Sequence, residues 1–190
     1  SHNLGVIIID PDGALPEHMD QSNGLLHSEV WGISEDSRGQ IWLGTRAGIN
    51  IYDPIKQEIK ALTPAILKSE NYRGFQGQIY PTIKEYEKDK YLIDGIHGFT
   101  IIDRSIYEMT RYCTDQWIAL AIRDFLRDDE GKFWMATGRG FAVYTPTLNQ
   151  MKFIPRFSSQ MPGNLARGIV DDGLGHYWVA TNRGLLVINP

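Results

Sequence analysis

The chain is poor in the groups that most often carry chemistry or cross membranes. Its 190 residues hold a single cysteine, Cys113, which excludes an internal disulfide and a cysteine-cluster zinc site and is read as a packed thiol. None of the five histidines stands in an H-x-x-x-H or H-E-x-x-H arrangement, so a zinc hydrolase has no support. There is no G-x-S-x-G elbow, no P-loop, and no apolar stretch long enough to span a bilayer. A formal net charge of −4 without a long basic run argues against a general nucleic-acid binder. The acidic turns DDEG (128–131) and DDGLG (171–175) lack the alternating spacing and terminal Glu of a calcium loop. No metal, no cofactor and no membrane contact are expected.

What is abundant is glycine (19), tyrosine (9) and tryptophan (5), a composition of turns and β-structure. The stretches EDSRGQIWLGTRAGINIYDP (35–54), RDDEGKFWMATGRGFAVYTP (127–146) and VDDGLGHYWVATNRGLLVINP (170–190) share one order of parts. Their common frame is D-x-x-G-x-x-W-x-x-T-x-x-G, without gaps in three copies. The copies are Asp36, Gly39, Trp42, Thr45, Gly48; then Asp128, Gly131, Trp134, Thr137, Gly140; then Asp172, Gly175, Trp178, Thr181, Gly184. The tryptophans are 92 and 44 residues apart, so a fourth copy is expected between the first two. KEYEKDKYLIDGIHGFTIID (84–103) supplies it in worn form, with Leu92 at the tryptophan place and Asp89 at the first glycine. The repeat tails end near Asp10, Asp53, Asp103, Thr145 and Asn189.

Each unit reads as strand, tight turn, strand, tight turn, strand, with segments such as EIKAL and QMKFI as a fourth, outer strand. Asp can bond nearby backbone N–H groups and Gly can take positive φ, which suits the D-x-x-G turn. Four strands in 42–50 residues is the period of a propeller blade. The fold expected is all-β, a partial β-propeller of about four four-stranded blades within one domain spanning residues 1–190. The repeated tryptophan fills the space between adjacent sheets in this reading, the alternative being a ligand-stacking role. A blade recurs because it cannot bury its faces alone.

The frame, followed by an apolar-alternating tail, resembles the two-component regulator propeller repeat. The resemblance runs through 35–53, 127–145 and 170–189, weakly through 84–103, and touches 5–10. It implies a larger, seven-bladed parent, a place in the extracytoplasmic or periplasmic sensor part of a hybrid two-component system, and an oligosaccharide as ligand. On that basis the chain is expected to be a piece of a larger sensor, non-enzymatic, signalling through packing changes. A partial propeller leaves two blade faces open, so self-association through them is expected. A protein-interaction scaffold is the alternative, and a propeller lyase a further one, although His97 and His176 lie in turns expected at opposite faces.

In a propeller the turns between second and third strands share one face with the starts of the innermost strands. Those turns carry Arg46, His97, Arg139, Asn182 and Arg183; the guanidinium forks of the three arginines suit carboxylates and sugar hydroxyls. The innermost starts add Asn23, His27, Gln78, Tyr80, Asn164 and Arg167, with Trp31 and Trp117 as stacking platforms. Each also has a plain reading as an exposed turn residue. The longer connection at 62–81 offers a helical turn with Thr63 as N-cap and Pro64 at its first position.

Overall fold

The D-x-x-G turns form because one carboxylate satisfies several backbone donors at once. Asp36 Oδ1 accepts from the N–H of Arg38 and of Gln40, each at 2.9 Å, while Gly39 N–H donates to the Asp36 carbonyl. Gly39 has φ +74°, a left-handed conformation that a side chain disfavours. Asp128 and Asp172 repeat the arrangement with Lys132 N–H and with Leu174 and His176 N–H. In the worn copy Asp89 takes the glycine's place at φ +63°, which Asp tolerates better than most residues.

The computed structural model describes residues 5–9, 12–13, 16–62, 82–95, 98–106, 108–112, 121–155 and 165–189. Strands β1 (Val6–Ile8) and β2 (Glu17–Met19) make a two-stranded ribbon, followed by a 3-10 turn at Gln21–Asn23. Strands β3 (Val30–Glu35), β4 (Ile41–Thr45), β5 (Gly48–Asp53) and β6 (Glu58–Ala61) form a four-stranded antiparallel sheet in sequence order. A second such sheet holds β7 (Ile83–Glu87), β8 (Lys90–Gly95), β9 (Gly98–Asp103) and β10 (Glu108–Tyr112). A third holds β11 (Ile122–Arg127), β12 (Phe133–Thr137), β13 (Gly140–Thr145) and β14 (Gln150–Pro155). Strands β15 (Ala166–Asp171), β16 (Tyr177–Thr181) and β17 (Gly184–Ile188) make a three-stranded sheet. The expected strand order is therefore present in every copy, the worn one included. The expected helical turn at Thr63-Pro64 and Cys113 lie outside the described residues.

The chain divides into two compact units, Ser1–Gln116 and Trp117–Pro190. In the first, the β3–β6 sheet is buried on both faces. Leu43 packs with Met19 and Leu25 on one side, joined by Val6 and Ile8 of the ribbon. Trp42 packs with Ile49, Ile51, Tyr91 and Ile93 on the other. The Trp42 ring is fully buried and stacks on Tyr91 at 4.0 Å between centroids. The ring thus fills the gap between adjacent sheets, where complete burial of so large an apolar surface stabilises most.

In the second unit Trp134 meets Tyr177 of the next sheet edge-on at 5.0 Å, in a core of Ala136, Phe141, Ala166, Ile169 and Val179. Strand β11 lies beside β15, and Asp124 Oδ2 accepts the Ile169 N–H at 3.1 Å across that junction. On β15–β17, Val170, Trp178 and Val187 are cross-strand partners and all exposed, Trp178 to 39%.

Candidate ligand-binding edge

Thr and Gly of the repeat build the turn between second and third strands. Thr45 Oγ1 donates to the Gly48 carbonyl at 2.8 Å and accepts from Ala47 N–H at 3.2 Å. Thr137 does the same with Gly140 and Arg139, and Thr181 with Gly184 and Arg183. The first residue after each threonine ties the turn to the start of the innermost strand. Arg46 N–H donates to Glu29, Gly138 N–H to Ala121 and Asn182 N–H to Leu165, all to carbonyls. Turn and strand start therefore lie at one edge of each of these three sheets.

A second feature sits at that edge. The register shifts between Val30 and Gly32, between Ile122 and Asp124, and between Ala166 and Gly168. The residue skipped is Trp31, Arg123 and Arg167 in turn, and each is exposed. Such a bulge re-aims a side chain at the end of a strand. All three stand eleven residues before the repeat tryptophan. Extending the frame upstream brings out Arg123, which reasoning from the turns alone passes over.

The predicted site residues then separate by what they touch. Arg46 is exposed but bonded to Glu29 at 3.3 Å. Arg139 and Arg183 are exposed, and neither guanidinium has an ion-pair partner among the described residues; the same holds for Arg123 and Arg167. Asn182 is exposed and its Oδ1 accepts the Leu165 N–H at 3.2 Å, so it also orders the strand start. Asn23 Oδ1 accepts Asp20 N–H in the capping box of the 3-10 turn, and His27 Nδ1 accepts Glu29 N–H at 2.9 Å. Both have a structural task. Tyr80, Gln78, His97, Trp117 and Asn164 lie outside the described residues.

The opposite edge, at the D-x-x-G turns, carries a network of internal bonds. In the first unit Asp36 Oδ2 takes Trp42 Nε1 at 2.9 Å, Tyr91 Oη at 3.0 Å and Arg104 Nη1 at 3.3 Å. Arg38 pairs with Asp89, and Ser37 bonds Glu85. Burial alone would raise the Asp36 pKa, but the donors Trp42, Gln40, Arg38 and Tyr91 outweigh it and hold the carboxyl below its ordinary value. Burial, with the bond to and charge of Asp36, raises the Tyr91 pKa. A cavity of about 650 Å³ lies at this edge, lined in part by Gln40, Lys56, Lys60 and Arg104. Two of these cations have carboxylate partners beside the cavity: Lys56 with Asp53, and Lys60 with Glu58. The indole bond recurs: Trp134 Nε1 donates to Asp128 and Trp178 Nε1 to Asp172. The Trp178 bond, against some opposition from burial, helps hold the Asp172 pKa well below the usual carboxylate range. Asp172 also pairs with His176 at 3.0 Å. Asp128 and Asp172 of the acidic turns are thus both turn and indole acceptors.

Repeated antiparallel sheets stacked face to face through an aspartate-held tryptophan define a β-propeller fold. Residues 24–47 match the family model described as two component regulator propeller, and the chain carries that repeat. Among solved structures, the whole chain superposes on 25% of the extracellular domain of a candidate hybrid two component system from B. thetaiotaomicron, with TM-score 0.72 and 14% identity. A second such extracellular domain from the same organism gives TM-score 0.71 at 17% identity, covering 91% of this chain and 23% of that one. A streptogramin B lyase structure gives 0.54 at 13%, with 88% and 56% covered. At such identities the likeness is one of fold. The chain spans about a quarter of the length of the first two structures. No curated protein matches.

Proposed function

We propose that the chain is a non-enzymatic, ligand-sensing propeller module of an extracytoplasmic two-component sensor, with an oligosaccharide as ligand. The carrying observation is the edge at the threonine turns of the second unit, where Arg139 and Arg183 are exposed with no ion-pair partner among the described residues, while the D-x-x-G turns of the same sheets are bonded to their own tryptophans. Exposed guanidinium forks are groups suited to sugar hydroxyls. The match to the two component regulator propeller and the likeness to extracellular sensor domains support the setting. Ligand occupancy would be passed on through the packing between sheets, which a bound oligosaccharide bridging two of them would bias. The test is calorimetric binding of the 190-residue chain to a saccharide panel. Micromolar or tighter binding of one oligosaccharide, with no turnover of it, is expected. A specific protein partner in place of any saccharide would favour a scaffold role, and hydrolysis or elimination of the bound glycan would make the chain an enzyme.

A further inference from the structure

Four arginines occupy equivalent places at one edge of two neighbouring sheets in the second unit. Arg123 and Arg139 belong to the β11–β14 sheet, one at the bulge that opens β11 and the other in the β12–β13 turn. Arg167 and Arg183 hold the same two places on the β15–β17 sheet. The bond from Gly138 N–H to the Ala121 carbonyl joins turn to strand start in one sheet, and that from Asn182 N–H to Leu165 joins them in the other. The two sheets are neighbours, with β11 beside β15, at a face-to-face spacing of about 10 Å. All four side chains are exposed, and none has an ion-pair partner among the described residues.

The one carboxylate next to them in sequence is engaged by backbone donors, and a single negative charge leaves four arginines in excess. Asp124 follows Arg123, but its oxygens accept backbone N–H groups, Oδ1 from Phe125 and Oδ2 from Ile169. The other carboxylates of these sheets, Asp128, Asp129, Glu130, Asp171 and Asp172, cluster at the far edge around the D-x-x-G turns. Arg127 and Lys132 stand among them, Lys132 paired to Glu130. In the first unit the corresponding bulge carries Trp31, the turn position of Arg139 and Arg183 is held by Ala47, and Arg46, one place earlier in that turn, is bonded to Glu29. Unmet cationic charge is therefore a property of this pair of sheets, not of the repeat in general.

We infer that the edge formed by Arg123, Arg139, Arg167 and Arg183 binds an anionic saccharide, with carboxylate or sulfate groups held by guanidinium forks on the two adjacent sheets. The inference rests on the oligosaccharide-sensing reading and narrows it to charged sugars. Two forks on each of two sheets match a ligand with anionic groups spaced along a chain, and each fork can engage a planar carboxylate through two parallel bonds. A single small anion would engage one sheet and gain little at an exposed site.

The experiment is titration calorimetry of the 190-residue chain with oligogalacturonate, a sulfated disaccharide, a neutral malto-oligosaccharide and polyglutamate. It is repeated with Arg123→Ala/Arg167→Ala and Arg139→Ala/Arg183→Ala. All four arginines are exposed, so melting temperatures should stay at the parent value, and a Lys-for-Arg set checks charge against fork geometry. Binding of oligogalacturonate or the sulfated sugar is expected, weakened at least about tenfold by each double variant and steeply by added salt. The two anionic probes separate carboxylate from sulfate recognition. Binding of the neutral sugar alone, unchanged in the variants, would overturn the inference and leave the sensing role standing. Arginine-dependent binding of polyglutamate with no saccharide bound, or no binding at all, would overturn both.

Discussion

Trp42 and Trp178 occupy the same place in the repeat, make the same indole bond to an aspartate six residues upstream, and differ in almost everything else. Trp42 is fully buried and stacks on Tyr91, with the Arg104 guanidinium over its ring at 5.7 Å from the centroid. Trp178 stays 39% exposed beside Val170 and Val187. The bond to aspartate is thus made within one sheet, whereas burial is supplied by the sheet that follows. A repeat of this kind encodes its own turn and tryptophan orientation but depends on a neighbour for most of its stability.

That contrast can be broken most sharply at the rings themselves. Trp42→Ala should cost about 3–5 kcal/mol, the range for emptying a fully packed aromatic site, read as a lower denaturant midpoint. Trp178→Ala should cost about 1 kcal/mol or less, as expected for a partly solvated side chain. Equal losses at the two positions would contradict the role given to the neighbouring sheet.

Next in size is the carboxylate beneath the ring. Asp36→Asn weakens charge-assisted bonds from Trp42, Tyr91 and Arg104, and a loss of about 1.5–3 kcal/mol is expected. Asp172→Asn should lose less, because its side chain is 23% exposed where that of Asp36 is 0%, and water screens what remains. The pH dependence follows from the same geometry. The folded pKa of Asp36 is lowered, so its contribution is present above the unfolded value near 4 and lost as pH falls through the folded one. The folded pKa of Tyr91 is raised, so its contribution is present below the unfolded value near 10 and lost as pH rises through the folded one. Thermal melts of the parent should fall off at both ends. Asp36→Asn should flatten the acid limb and Tyr91→Phe the alkaline one.

The smallest contrast between copies belongs to the turn threonines. Thr45→Val removes a donor to Gly48 and an acceptor for Ala47 at a fully buried position, for about 1–2 kcal/mol. Thr181→Val makes the same change where solvent reaches the turn, so its melting temperature should drop by less than half as much.

Much of this architecture is legible in the chain because the frame fixes residue type and spacing together. Asp36, Gly39, Trp42 and Thr45 each answer to a bond or a backbone angle, and even the worn copy keeps its strands, with Asp89 standing in for glycine and Leu92 buried where a tryptophan is expected. The dual use of the aspartate was hidden, since a D-x-x-G turn accounts for it without the indole six residues on. The site was less legible, for a physical reason. Arg46 and Arg139 stand one place apart in equivalent turns, and the approach of Glu29 gives Arg46 an ion pair that Arg139 lacks among the described residues, a difference the turn motif does not announce. Arg123 was legible in principle through its offset from Trp134, but a bulge is set by how two strands pair, which no single residue announces.

The threonine turn has one more consequence. Its shape is held by the Thr hydroxyl, the Gly carbonyl and backbone N–H groups, so the side chains of Arg46-Ala47 and Gly138-Arg139 are not needed to form it. These dipeptides behave as interchangeable cartridges in a common holder. Exchanging them between copies should rewrite what the edge recognises while leaving the melting temperature where it was, which makes selectivity in such a chain unusually easy to change one loop at a time.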